Sequence, residues 1–396
     1  MDRVVGTVAR GLRTPIISQG DDLAEIVVRT VLDAATAEQY CIEDRDIVAI
    51  TESVVGRAEG NYASVDQIAA DVRAKFGDGT LGLVFPILSR NRFATCLQGI
   101  ARGVRRIVMM LSYPADEVGN ELVDLDTLEK HGIDPWTDVL TEEQFRRTCG
   151  HTVHRYTGVD YVAYYRSLLD ETGADSQIVF SNHPEVILQY ARNVLACDIH
   201  TRERTKRLLR EHGAAVVHGL DDILNRPVEG SGYNEQYGLL GSNKATEASV
   251  KLLPRNGQQL VEDIQERVAA ATGKRIEVMI YGDGAFKDPV GRVWELADPV
   301  VAPAYTAGLQ GTPNEVKIKY LADNHFAHLR GEALRAAITG HIQGKAGDLK
   351  GSMEAQGTTP RRLTDLLGSL ADLVSGSGDK GTPVVYIKGY FDNYSR

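Results

Sequence analysis

Cysteine is scarce in this 396-residue chain. Its four cysteines stand at 41, 96, 149 and 197, nowhere within the two-to-four-residue spacing of a zinc knuckle. A large, cysteine-poor chain belongs to a reducing compartment, so a cytoplasmic location is expected and each cysteine reads as a small buried hydrophobe. Long apolar runs are also missing. Ile107-Val-Met-Met-Leu111 is typical of the longest, and it has strand length rather than the roughly 18 residues of a membrane span. The chain reaches charged Arg10 and Arg13 without an apolar h-region, so no secretory signal is expected. Basic charge is in deficit, with 44 Lys and Arg against 54 Asp and Glu. That balance argues against nucleic-acid binding, which wants a basic face. It leaves room for an anionic small molecule, because a local field or a bound divalent ion can oppose the overall sign.

Several catalytic fingerprints are absent too. No Gly-x-Gly-x-x-Gly follows the first strand, and no Gly-x-x-x-x-Gly-Lys-Ser/Thr or Gly-x-Ser-x-Gly occurs. His151-x-x-His154 and His325-x-x-His328 pair locally, but neither sits in a larger metal signature.

What is present is a chain with 43% apolar residues, long enough for two or three domains. Leu23, Ile26, Val27, Thr30 and Val31 form an apolar stripe at helical spacing behind acidic Asp21 and Asp22. Asp46-Ile-Val-Ala-Ile50 reads as a strand running into a polar turn region that extends to Asn61, and Arg106–Leu111 as another strand. Gln177–Phe180 reads as a strand followed by a helix with Val186, Ile187, Tyr190, Ala191, Val194 and Leu195 on one face. A helix over 202–211 and a strand over 214–217 complete an alternation that predicts an α/β fold with a mostly parallel sheet in the middle of the chain. Gly230-Ser-Gly232 is the best candidate boundary. Beyond it, a helix is predicted over 257–271 with Gly273 as its C-cap, then a strand over 276–280. Thr359 and Pro360 open a last helix whose stripe is Leu363, Leu366, Leu367, Leu370, Leu373 and Val374, and Pro383–Ile387 is a final strand.

Gly282-Asp283-Gly284 is the most informative motif. An Asp between two glycines at a strand's C-terminal end lies where α/β sheets present ligands, and hard Mg²⁺ or Mn²⁺ wants such oxygens. A glycine-rich turn in which Asp hydrogen-bonds its own backbone is the equal alternative. Downstream, Asp288 and Arg292 read as water-facing charges, and Glu295 and Asp298 suit turn or cap duty. Gly238–Asn243, followed by Lys244, is either an anion-accepting backbone turn or a plain tight turn. The Gly376–Gly381 run reads either as a flexible exposed linker or as an anion-accepting loop.

These segments, in order, resemble the coenzyme F420-0:gamma-glutamyl ligases. Pro15-Ile-Ile-Ser-Gln-Gly-Asp-Asp-Leu23 is similar to that family's opening segment, and Asp46–Gly60 to its strand and following Ala-Glu-Gly stretch, with Arg57 in the place commonly held by lysine. Ser242-Asn243, the Thr272-Gly-Lys-Arg275 turn, Asp283 and Gly376–Val385 match the later parts. The resemblance covers about residues 10–60 and 235–390. It implies a ligase-like core formed by 1–64 and 231–396, around an inserted or expanded α/β region, 65–230, that recognises the acceptor.

The family resemblance further implies an amide-forming enzyme that joins L-glutamate, or a related amino acid, to a small-molecule carboxylate through an acyl phosphate. GTP is the implied cosubstrate, with ATP as the alternative, alongside Mg²⁺ or Mn²⁺ and a homodimer. It makes Asp283 a metal ligand, Arg57 a phosphate or acid clamp and Glu52 a catalytic helper, with Ser242, Asn243, Gly282 and Gly284 lining the cofactor site. Leu240 stands where the family has a metal-binding Asp, and Gly284 replaces the usual Thr or Ser after Asp283. The missing carboxylate is therefore expected from Asp323 or Glu235, and the acceptor is expected to be another acid than F420. A catalytically silent binding or assembly protein and a metal-dependent phosphate hydrolase are the rival functions.

Overall fold

The computed structural model describes residues 4–284, 286–287, 292–295, 298–355, 361–375 and 378–395. Two sheets carry the fold, which is mixed α/β as expected. The first has five strands in the order Val8–Leu12, Val384–Lys388, Ile47–Thr51, Glu277–Tyr281, Ala304–Tyr305. It unites the two ends of the chain. Ile47–Thr51 and Glu277–Tyr281 run parallel, with Thr51 opposite Tyr281.

Alternation along these strands sends side chains to opposite faces, and helices cover both. On one face, Val48, Ile50, Val278 and Ile280 pack under helices Leu23–Ala37 and Gly257–Thr272. Asp22 caps the first helix by accepting the Glu25 N–H, and Gly273 closes the second in the left-handed conformation at φ +70°. On the other face, Ile47, Ala49, Met279 and Tyr281 meet Leu367 and Ala371 of helix Leu363–Ser375. The expected stripe of this helix is corrected at one position. Leu373 is exposed, and Thr364, Gly368 and Ser375 are buried instead, because small residues let the helix lie close to the sheet. Thr359 and Pro360 lie outside the described residues.

The second sheet has six strands in the order Leu140–Thr141, Asp175–Phe180, Arg106–Leu111, Thr80–Val84, Asn193–Ala196, Val216–Gly219. All are parallel except the first. The chain starts at Thr80–Val84, winds outward to one side through 106 and 175, then returns to the other side at 193. That reversal creates a topological switch point beside Thr80–Val84. Helices Val65–Phe76, Ala94–Arg102 and Tyr161–Thr172 build the larger core on one face.

Two expectations need correction here. The region expected as one helix from 186 is a short 3-10 turn, Pro184–Gln189, followed by the strand Asn193–Ala196. Val194 and Leu195 are fully buried in the middle of a parallel sheet, where a short all-apolar run has no periodicity to distinguish strand from helix. The polar turn after Thr51 is in fact a helix, Glu52–Ala58, anchored by buried Val55 and Gly56. No helix among the described residues is long and apolar enough to cross a membrane.

Candidate active site

The register of the first sheet assembles the site. Thr51 and Tyr281 end their parallel strands side by side, so Glu52 and Gly282–Asp283 leave the sheet at the same edge. Val384 pairs with Ile50 and with Leu12, so Thr382, Pro383 and Thr14 arrive at that edge too. The result is a cleft of about 620 Å³ lined by Glu52, Arg57, Arg92, Asn243, Asp283 and Asp372, among others.

The glycines of the 282–284 turn have distinct reasons. A Cβ on Gly282 would lie 1.9 Å from Oδ2 of Asp298, so only glycine fits there. That same oxygen accepts the Asp283 N–H at 2.7 Å, and the Gly284 N–H donates to Asp372 Oδ2 at 3.0 Å. Asp283 therefore has its backbone fixed by a neighbouring carboxylate, which leaves its side chain to face the cleft.

Arg92 is the residue that sequence reasoning missed. Its Nη1 donates to Asp298 Oδ1 at 2.7 Å and to the Gly241 carbonyl at 2.9 Å, and its Nη2 donates to Asp283 Oδ2 at 2.8 Å. It comes from the loop after Thr80–Val84, at the switch point of the second sheet. That loop opens with Phe85 at φ +56°, a rare conformation for a bulky side chain. It is then pinned along its length: Leu88 N–H donates to Asp116, Ser89 N–H to the Tyr165 hydroxyl, and Arg92 N–H to Ser89 Oγ. The Tyr165 hydroxyl in turn donates to the Ile87 carbonyl. A guanidinium held this way is pre-organised for two-pronged carboxylate binding.

The electrostatics follow from crowding carboxylates in a dry place. Burial, and to a lesser degree Asp283, raise the Glu52 carboxyl above its usual range, against the pull of Lys251 and Arg92. Burial pushes Asp298 up to about 7, with Arg92 opposing and Asp283 and Glu52 adding to the rise. Asp372 is raised mainly by burial. Arg92 is held firmly protonated, because Asp298, Asp283 and Glu52 together outweigh its own burial. Burial lowers Lys251, whose Nζ lies 3.9 Å from Glu52 Oε1 and donates to Ser53.

A second cavity of about 550 Å³ adjoins the first and shares Ser53 and Arg57 with it. Lys244, Lys251 and Tyr62 also line it. Glu52, Asp283 and Asp372 line the first cavity together with Arg92; Lys244 and Lys251 line the second, and exposed Arg57 belongs to both.

The residues singled out from sequence separate cleanly. Glu52, Arg57, Asn243, Gly282 and Asp283 line the cleft together. Gly284 joins them only through its N–H. Ser242 is buried, with Oγ 3.3 Å from Cys96 Sγ. Asp323 sits exposed on the turn Leu321–His325, and neither it nor Glu235 is among the cleft-lining residues. Leu240 is buried in the core of the larger unit. Asp298 is 1% exposed and adds an ion pair with Arg92 to the turn duty expected of it, since its other oxygen accepts the Asp283 N–H. Asp372 was hidden inside a helical stripe. Asp288 and the Glu295 side chain lie outside the described residues.

Fold and site together define a mixed α/β protein with a carboxylate-lined cleft where two sheets meet. The model of the F420-0:gamma-glutamyl ligase family matches residues 11–389, and the chain belongs to that family. The match is wider than the two segments that carry the resemblance in sequence. Comparison with curated proteins gives no match. Membership places the chain among ligases of the F420 gamma-glutamyl type, whose substrates are small molecules such as glutamate.

Proposed function

We propose that this cleft joins the amine of L-glutamate, or a related amino acid, to a small-molecule carboxylate, using GTP and Mg²⁺ or Mn²⁺. The observation that carries the reading is the meeting of carboxylates and cations in the composite cleft: Glu52, Asp283 and Asp372 line one cavity, Lys244 and Lys251 the adjoining one, and Arg57 is shared by both.

The donor set fits the implied ion in kind. Hard cations take carboxylate oxygens, and Asp283 and Asp372 bring theirs to one cleft from separate segments of the chain. These two residues would hold the ion, which when bound offsets phosphoryl charge. Arg92 already ties one oxygen of Asp283 and supplies a fixed positive charge next to it.

The chain's own residues account for the remaining work. Arg57 and Lys251 bind the anionic acceptor and the phosphoryl group. The acceptor carboxylate oxygen takes the γ-phosphoryl group and GDP leaves. The amine nitrogen then attacks the acyl carbon, and inorganic phosphate departs as the C–O bond breaks. Glu52 in its ionised form takes the proton that the amine gives up, and the burial that raises its proton affinity makes it a stronger base for that step. Positioning and electrostatics supply the acceleration, so no cysteine or serine nucleophile is needed.

Calorimetric titration of GTP into the protein with Mg²⁺ or Mn²⁺ tests this. Metal-dependent binding is expected, with GDP release that requires both an acid and an amine. Absence of nucleotide binding sinks the ligase reading, and turnover without any amine turns it into hydrolysis. Light scattering at working concentration should show the dimer that the family resemblance implies.

A further inference from the structure

A second constellation lies outside the cleft, in the helical segment between the strand Ala304–Tyr305 and the helix Leu363–Ser375. His325 ends a π-helical turn, Leu321–His325, an irregularity that recurs at functional sites. His341 stands in the last turn of helix Gly331–Gln343, and Glu354 in the 3-10 turn Met353–Ala355. One ligand atom from each of the three lies within 4.8 Å of the others. His341 Nε2 is 2.9 Å from Glu354 Oε2, and His325 Nδ1 is 3.8 Å from Glu354 Oε1. The sequence pairs His325 with His328, whereas the fold pairs it with His341 and Glu354.

We propose that His325, His341 and Glu354 form a zinc site. Tetrahedral zinc with bonds near 2.0–2.1 Å separates its ligand atoms by about 3.3 Å. The His341–Glu354 separation of 2.9 Å lies below that value and the His325–Glu354 separation of 3.8 Å above it, so bringing these two pairs to zinc spacing needs shifts of about half an ångström. Two imidazoles and one carboxylate select zinc over the hard Mg²⁺ expected in the cleft. The residues are partly open to solvent, with His325 41%, His341 26% and Glu354 22% exposed. Three protein ligands leave the fourth position for water.

Packing supplies a reason for the ion. Among the described residues, the segment's own cluster has three buried apolar side chains, Leu321, Ile338 and Ile342, with only partly buried ones packed around them. So small a core is commonly reinforced by a metal or other cross-link. Glu354 is already tied to the segment's entry, because its carbonyl accepts the Lys317 N–H at 2.8 Å. An ion at the three ligands would clamp the π-turn, the helix and the 3-10 turn together, and its binding energy would add to folding.

The test uses the full chain loaded with Zn²⁺ and dialysed, with metal content, melting temperature and X-ray absorption as readouts. One tightly held zinc with imidazole ligands is expected, and its removal by chelator should lower the melting temperature. His341→Gln should weaken zinc at least tenfold, and Asp283→Asn should retain it. Equal zinc content in His341→Gln and the parent overturns the proposal and leaves His341–Glu354 as an ordinary ion pair. If the variant fails to fold, the parent decides alone: an absorption spectrum without imidazole ligands also overturns it.

Discussion

Arg92 Nη1 and Asp298 Oδ1 meet at 2.7 Å although 206 positions separate them in the chain. The pair ties the switch-point loop of the six-stranded sheet to the edge of the five-stranded sheet where the cleft opens. Its second prong reaches Asp283, so one guanidinium sets the placement of Asp283 relative to Asp298. Asp298 is almost sealed from water, which makes the pair hard to break at one end only.

Arg92→Met should therefore destabilise the protein by about 3–5 kcal/mol in denaturant unfolding, because it strands a buried carboxylate. Adding Asp298→Asn should recover part of the loss, giving a coupling above about 1 kcal/mol in the double-mutant cycle. Arg92→Lys should fall between, since a point charge cannot reproduce the fork. Additive single effects would contradict a direct pair.

Glycine substitutions should separate site from scaffold. Gly282→Ala puts a methyl group 1.9 Å from Asp298 Oδ2 and should cost about 1–3 kcal/mol as well as turnover. Gly340→Ala lies in the helix Gly331–Gln343 with nothing within 4 Å, and should be neutral or stabilising by up to about 1 kcal/mol. Thermal melts of the two variants check both. Equal behaviour would mean that close packing is not what holds Gly282.

Buried Asp198 should leave a mark on the pH dependence of stability. Its Oδ2 accepts the Thr201 and Thr205 hydroxyls, and its Oδ1 has no partner among the described residues. Burial pushes its carboxyl up to about 6. A raised acid favours the folded state at pH below about 4, its unfolded value, and that contribution is lost as pH climbs through 6. Asp198→Asn should therefore gain on the parent between pH 4 and 7, reaching about 3 kcal/mol by pH 8 from a two-unit shift. Parallel stability curves for the two proteins would show that Asp198 is not the cause.

The legible parts of this molecule were those with local causes. The stripe Leu23–Val31, the cap at Gly273 and the strand ending at Tyr281 follow from periodicity and turn chemistry within a few residues. Asp283 and Glu52 could be singled out because each follows a recognisable strand. Arg92 could not, since its role comes from strand Thr80–Val84 being the first of a winding sheet, a property of topology. Asp298 and Asp372 were obscured for a related reason: one lies in an irregular segment and the other within a helix, and only the fold turns them toward Asp283. His325 shows the same effect, with its partners 16 and 29 residues away and a closer histidine bypassed.

Asp283 is proposed to serve an acid–amine ligation at the mouth of these parallel strands. Steady-state GDP release should be compared for the parent and Asp283→Asn, with Mg²⁺, L-glutamate and a panel of small carboxylic acids. The parent should release GDP only when acid and amine are both present, and Asp283→Asn should lose at least about 100-fold in rate while keeping its fold by circular dichroism. An unchanged rate in the folded variant would contradict the account.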